Sequence, residues 1–225
     1  MRAMLWVQVK SAYEAESAER GGADAVLLTG DDPTMSPLPH TVDLVRAATT
    51  VQLRVLLRLQ AGDVTDGGRM TRLRGLASSF HSAGVDGFAF GFLNAMSGID
   101  VEACQTLAGD AAWPWMFDRA VDNALDQDRA WEEVHRLPRV DAVMSAGSAR
   151  GVEHGIDRVI THADDQVPAV VTGGLLPEHI PWLVNAGMRR FLIDDRAPSP
   201  DTVRSWRRLI DDEVDRATRR ADHQR

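Results

Sequence analysis

Along this chain, short apolar runs alternate from end to end with longer stretches in which hydrophobic residues recur every three or four positions. Residues 4–9 form the first apolar run. Residues 12–22 follow with Ala, Tyr and Glu in a helix-favouring order that stops at Gly21 and Gly22. The unit then repeats, with a strand predicted over 24–29, a Pro-rich loop over 30–39 and a helix over 40–49 whose buried stripe is Val42, Leu44 and Val45. Strand 51–58 leads through the Gly-rich loop 61–68 to a helix over 69–83, where Leu73, Leu76 and Phe80 keep helical spacing and Gly84 closes the element. Five more pairs complete the chain: strand 87–92 with helix 100–108, 113–117 with 124–136, 140–145 with 149–163, 169–172 with 177–186, and 190–193 with 200–221.

Eight strands alternating with eight helices, at roughly 28 residues per unit, satisfy the lower size of about 200 residues for a (β/α)8 barrel. The strands are short, continuously apolar and rich in Val, Leu and Phe, as parallel strands covered on both faces are. An open doubly wound sheet would show the same alternation, but no G-x-G-x-x-G turn follows the first strand. The expected fold is therefore an α/β TIM barrel, (β/α)8, with residues 1–225 in a single domain.

Composition narrows the function classes. A net charge of -8 leaves no phosphate-neutralising basic surface, so nucleic acid is excluded as a partner. No apolar stretch approaches the roughly 18 residues of a membrane span, and residues 1–8 turn polar too early for a signal peptide. No membrane partner and a cytoplasmic location are expected. Cys104 is the sole cysteine, so one chain can form neither an internal disulfide nor a thiolate cluster. Lys10 is the sole lysine and the one position open to Schiff-base chemistry. The seven histidines show no H-x-H or H-E-x-x-H spacing, so no metal ligands are assigned.

In a barrel, reactive side chains belong at the C-terminal strand ends and the loops that follow. Those positions hold Gln8 and Lys10, Thr29 and Asp31, Arg58, Gln60 and Asp63, Asn94, then Asp118, Arg119 and Asp122 after strand five. Ser145 and Gly147 follow strand six, Thr172, Gly173 and Gly174 strand seven, and Asp194 and Asp195 strand eight. Two carboxylates around Arg119 suit either the holding of a charged substrate group or general-base work, and equally a structural ion pair. Gly173 with Gly174 suits backbone binding of an anion, or a plain tight turn. The Ser145–Gly147 turn is similar, with Ser148 available as a helix N-cap. The expected ligand is a small anionic molecule held by Arg58, Arg119, Asp122, Gln60, Ser145, Gly147, Gly173 and Gly174, with Asp118 and Asp63 as candidate acid or base.

Several segments in order from about residue 5 to residue 215 resemble the CutC family of copper-homeostasis proteins. They are Ala18-Glu19-Arg20-Gly21-Gly22-Ala23-Asp24, Ser36-Pro37, and Arg58 with Gly62-Asp63, similar to the family's I-R-P-R-G-G-D. Further on stand residues 84–93 with Gly98-Ile99-Asp100, residues 117–122, similar to F-H-R-A-F-D, and Gly173-Gly174. The resemblance implies a cytoplasmic (β/α)8 barrel linked to copper handling, and copper enters as a cofactor through it alone. By spacing, the family's strand-one Glu and Cys fall on Trp6 and Gln8, its strand-five His on Asp118, and its second strand-three Arg on Gln60. The chain reads as a divergent member whose charged pocket positions persist while its copper donors do not. The alternatives are a lyase, isomerase or aldolase acting on a phosphorylated metabolite, and a non-catalytic, metal-free barrel. A homodimer is a further expectation.

Overall fold

The apolar runs do become strands, because a residue pair buried on both faces of a sheet needs no polar alternation. The computed structural model describes residues 2–109, 113–162, 166–194 and 199–223. Its strands are β1 (Met4–Val9), β2 (Ala25–Leu28), β3 (Gln52–Leu56), β4 (Gly87–Phe90), β5 (Trp115–Phe117), β6 (Val140–Ser145), β7 (Ala169–Val171) and β8 (Arg190–Ile193). The helices between them are α1 (Ala12–Gly21), α2 (Pro39–Ala48), α3 (Gly67–Ser82), α4 (Val101–Ala108), α5 (Gln127–His135), α6 (Val152–His162), α7 (Ile180–Asn185) and α8 (Pro200–His223). Every strand pairs in parallel with the next, and β8 returns to β1 with Leu5 opposite Phe191 and Val7 opposite Ile193. The sheet is a closed eight-stranded ring, the expected (β/α)8 barrel. No helix among the described residues is long and apolar enough to cross a membrane.

Two separate cores follow from the pleat, because successive strand side chains point to opposite faces. Leu5, Val7, Val26, Leu28, Leu53, Val55, Phe88, Phe90, Trp115, Phe117, Phe191 and Ile193 face the helices and join Phe80, Trp131 and Ile210 in one cluster. Trp6, Ala25, Leu27, Leu56, Ala89, Met116, Ala142, Met144, Val170 and Leu192 fill the ring itself. Alanine from β2, β4 and β6 leaves room for the one indole. Below it, Arg54 reaches across to Asp141 through two parallel bonds of 2.7 and 2.5 Å, its Cζ 5.3 Å from the Trp6 ring centroid. This pair plugs the N-terminal end of the ring.

Helix boundaries depart from the hydrophobic pattern where side-chain caps intervene. The helix expected over 124–136 is α5, which starts three residues later because Asp126 Oδ1 accepts from the Arg129 N–H, and a 3-10 turn at Arg119–Asn123 precedes it, begun where Asp118 Oδ1 accepts from the Ala120 N–H. Residues 177–186, expected as one helix, divide into a 3-10 turn, Pro177–His179, and α7. Helix α3 begins earlier than expected, at Gly67, since Asp66 caps the Arg69 N–H at 2.9 Å. Ser148 is not an N-cap: α6 starts at Val152, whose N–H donates to the Gly173 carbonyl, and Ser148 Oγ accepts from the Arg150 N–H. Ala163, expected at the end of α6, lies outside the described residues. Leu44, expected on the buried stripe of α2, is 58% exposed. Val42 and Val45 lie three residues apart on one helix face, from which Leu44 is turned away.

Gly155 in α6 meets the turn after β6 so closely that an added Cβ would fall 2.2 Å from the Ala146 carbonyl oxygen and 2.3 Å from the Gly147 carbonyl carbon. Helix propensity alone favours Gly→Ala by about 1 kcal/mol. Backbone cannot yield as a side-chain tip can, so Gly155→Ala destabilises the fold by roughly 1–3 kcal/mol. A urea denaturation midpoint that rises in this variant contradicts the contact.

Candidate functional site

The open end of the ring encloses a cavity of about 450 Å³. Its wall is made by Gln8 of β1 and by the residues that continue the inward face just past five other strands: Thr29, Arg58, Asp118, Thr172 and Asp194. Leu27, Leu56 and Met144 form its floor, and Pro33, Thr34, Ala61, Gly62, Asp63, Arg119 and Ala120 come from the loops. This is the size and mixture expected of a small-molecule site.

Arg58 is the most heavily bonded group there. Its Nη2 donates to Asp118 Oδ2 at 2.5 Å and to the Gly91 carbonyl at 3.3 Å. Nη1 donates to Asp63 Oδ1 at 2.5 Å and to the Gly62 carbonyl. Asp63 Oδ2 in turn accepts from Asn123 Nδ2 at 2.7 Å, closing a chain of bonds from β3 to the turn after β5. The Arg58 backbone is itself clamped, its N–H donating to Ser36 Oγ at 2.7 Å and its carbonyl accepting from the Ser36 N–H at 2.9 Å. Burial alone would lower the guanidinium, but Asp118 and Asp63 push it up, so it is permanently charged. An arginine already compensated by two carboxylates has little attraction left for a ligand anion.

Arg119 is different. The 3-10 turn after β5 brings its Nε to 3.0 Å from Asp122 Oδ2, and Nη2 donates to the Ser148 carbonyl at 3.3 Å. Among the described residues Nη1 has no partner, and 35% of the side chain is exposed where it lines the cavity. Asp122 lies behind it, fully committed, with Oδ1 accepting from the Ser145 hydroxyl at 2.6 Å and Oδ2 from the Ala146 N–H at 2.9 Å. Gly173 faces the guanidinium so closely that a Cβ there would lie 2.5 Å from its Cζ. Glycine is required on both counts, since its φ is +90°.

Burial raises the Asp118 carboxyl above the ordinary carboxylate range, against the opposing pull of Arg58 and the Ala120 N–H. Desolvation is the stronger influence on this group. A carboxyl that faces a cavity and retains its proton more tightly than usual is suited to proton transfer.

The cavity therefore gathers Asp118, Asp63, Arg58 and Arg119 from the predicted set. It does not gather the remainder. Asp122 and Ser145 are buried beneath Arg119, Gln60 Nε2 donates to the Val64 carbonyl, and Gly147 lines a separate depression beside α6. Gly173 supports Arg119 from behind, while the Gly174 N–H points to Asp194 Oδ2 at 3.4 Å. Lys10 pairs at 3.8 Å with Asp31 and is not among the residues that line the cavity. Asn94 Oδ1 caps its own turn, accepting from the Met96 and Gly98 N–H groups. Asp195 lies outside the described residues. Gln8, Thr29, Thr172 and Asp194 were named only as strand ends. Their signal is a polar residue two positions after an inward apolar one, as in Trp6-x-Gln8, Leu27-x-Thr29 and Leu192-x-Asp194.

Copper, implied by the resemblance, does not fit these residues. Cu(I) prefers thiolate, thioether and imidazole donors. The mouth offers carboxylates, hydroxyls and an amide, with the Met144 thioether on its floor. Cys104 is on α4, away from the cavity wall, fully buried, its thiol pushed up to about 12 by burial. Among the described residues no three His, Cys, Asp or Glu side chains gather as a metal would need.

Asp122 yields a pH test. Burial raises its folded-state value above the 3.8 of an unperturbed Asp, despite the bonds from Ser145, Ala146 and Arg119. The folded state then holds the proton more tightly than the unfolded one, so this group's contribution is full below 3.8 and is lost as pH rises through the folded value. The difference in unfolding free energy between wild type and Asp122→Asn, measured with urea, should fall with increasing pH across that window. A rising difference contradicts the assignment.

The family model described as the CutC family matches residues 4–193. A copper homeostasis protein cutC homolog from Homo sapiens is 27% identical over 186 residues, covering 79% of this chain and 67% of that protein. A Drosophila melanogaster homolog of the same name is 29% identical over 160 residues, 68% of this chain and 60% of its own. The chain thus spans less than two thirds of the fly relative. Among solved structures, a copper homeostasis protein CutC from Streptococcus agalactiae superimposes with a TM-score of 0.76 at 16% identity, covering 84% of this chain and 97% of that one. A dihydrodipicolinate synthetase from Pseudomonas aeruginosa follows the same barrel at 0.70 and 13% identity, over 97% and 80% of the two chains. Matched from its first strand to its last, the chain belongs to the CutC family.

Proposed function

We propose that the barrel mouth binds a small molecule through one anionic group docked on Arg119, and that the chain serves copper homeostasis through this ligand instead of through a copper site of its own. The observation that carries the reading is the contrast between the two arginines. Arg58 is compensated by Asp63 and Asp118, whereas Arg119 Nη1, at the cavity wall, has no partner among the described residues. The link to copper homeostasis comes from the names of the human and fly relatives. A cytoplasmic setting goes with it, supported by a lone buried thiol that needs no oxidising compartment.

An enzymatic version is favoured by Asp118, which reaches the cavity with a raised affinity for its proton. It is an isomerase- or lyase-type proton transfer on the anionic ligand, with Asp118 as acid or base and Asp63 holding Arg58 in place.

Two measurements test these statements. A thermal-shift screen of carboxylates and phosphorylated metabolites should find a ligand that adds about 2.7 kcal/mol of stability at 100 times its dissociation constant. Arg119→Ala should abolish that shift, and a shift retained in the variant overturns Arg119 as the docking cation. Titration of the reduced protein with Cu(I) against a competing chelator should reveal no tight stoichiometric site; one high-affinity ion per chain lost in Cys104→Ser overturns the indirect role.

A further inference from the structure

We infer that the ligand of this mouth is a zwitterion, an amino-acid-like molecule whose carboxylate meets Arg119 while its ammonium meets Asp194. The inference rests on Arg119 as the anion dock and extends that reading to the opposite charge. Asp194 ends the inward face of β8 and lines the cavity. Among the described residues it has no ion-pair partner, and its one hydrogen bond is the long contact of 3.4 Å from the Gly174 N–H.

The same dipeptide locates both charges. Arg119 lies against Gly173, and Asp194 lies at the N–H of the residue that follows. Bond lengths along that path limit the Arg119 Cζ to Asp194 Oδ2 separation to roughly 10 Å. The two side chains nevertheless do not meet in an ion pair. A cation and an anion held this near to each other, both facing one cavity, bracket a gap that a molecule bearing the two complementary charges would fill.

Electrostatics favours the same class. Asp63 and Asp118 already offset Arg58 and Asp122 contacts Arg119, so among the described residues Asp194 stands at the mouth as a carboxylate with no cation paired to it. A purely anionic ligand, and a dianionic phosphate above all, would meet that unpaired negative charge. An ammonium on the ligand offsets it.

Isothermal titration with matched probes tests the inference: glycine, L-alanine, L-serine and β-alanine against acetate, propanoate, 3-hydroxypropanoate and the corresponding simple amines. In the wild type, at least one amino acid should bind about tenfold or more tightly than its deaminated partner, the scale of one charge-assisted bond. Asp194→Asn, which keeps size and shape, should remove that preference without weakening carboxylate binding. Carboxylates that bind as tightly as their amino counterparts overturn the zwitterion and leave the Arg119 reading intact. Amines that bind alone, with amino-acid binding surviving in Arg119→Ala, overturn the anion dock as well. So does a wild type to which no probe binds.

Discussion

Closure of eight parallel strands into a ring allows only every second residue of each strand to face the interior, and there is room there for about three layers of side chains. Everything at the mouth follows from that restriction. The lowest layer holds the Arg54–Asp141 pair, the middle layer Trp6 and its small and aliphatic neighbours, and the third layer is polar. An inward apolar residue is followed two positions later by Gln8, Thr29, Arg58, Asp118, Thr172 or Asp194. The chemistry of the cavity is therefore set by the pleat as much as by the loops.

Placing charge in the third layer has a cost that geometry must offset. A buried ion pair often stabilises a fold no more than apolar residues of the same shape would, while the loss of one partner leaves an uncompensated charge. Arg58 is held on this principle: Asp118 comes from β5, Asp63 from the loop after β3, and Asn123 fixes Asp63 from the far side. Arg119 is held by a second, independent set from the β6 end, Asp122 with Ser145 and the Ala146 N–H. The two guanidiniums share a mouth and differ in saturation, and that difference separates a structural cation from one available to a ligand.

The architecture was legible because strand and helix periodicities differ along the whole chain, and because Gly21-Gly22 and Gly84 stop helices where they stand. The site was legible only as far as the rule that strand ends carry chemistry. That rule placed Arg58, Asp63, Asp118 and Arg119 correctly at the mouth, since strand ends there must face it. It also admitted Gln60, Ser145 and Asp122, whose side chains are committed to Val64, Asp122 and Arg119 respectively, and residue type does not reveal such commitments. The 3-10 turn before α5 and the late start of α5 were hidden because each is set by a single aspartate cap, Asp118 and Asp126, and not by hydrophobic spacing. Asp194 was passed over because its importance lies in what it lacks, an ion-pair partner, and that is visible only once neighbours are in place.

The departures from the family pattern now acquire a location. The resemblance sets the family's Cys at Gln8 and its His at Asp118, and both of these residues are third-layer positions lining the cavity. The barrel that aims a thiol or an imidazole inward aims an amide or a carboxylate inward with no change of backbone, since pleat and register fix direction whatever the side chain. What changes is the character of the donor, from groups that bind soft metals to groups that bind hydrogen-bond donors and cations. Arg58 and Arg119 remain beside these exchanged positions. The frame and the two arginines of the family pattern thus stand here with an amide and a carboxylate where the resemblance sets the thiol and the imidazole.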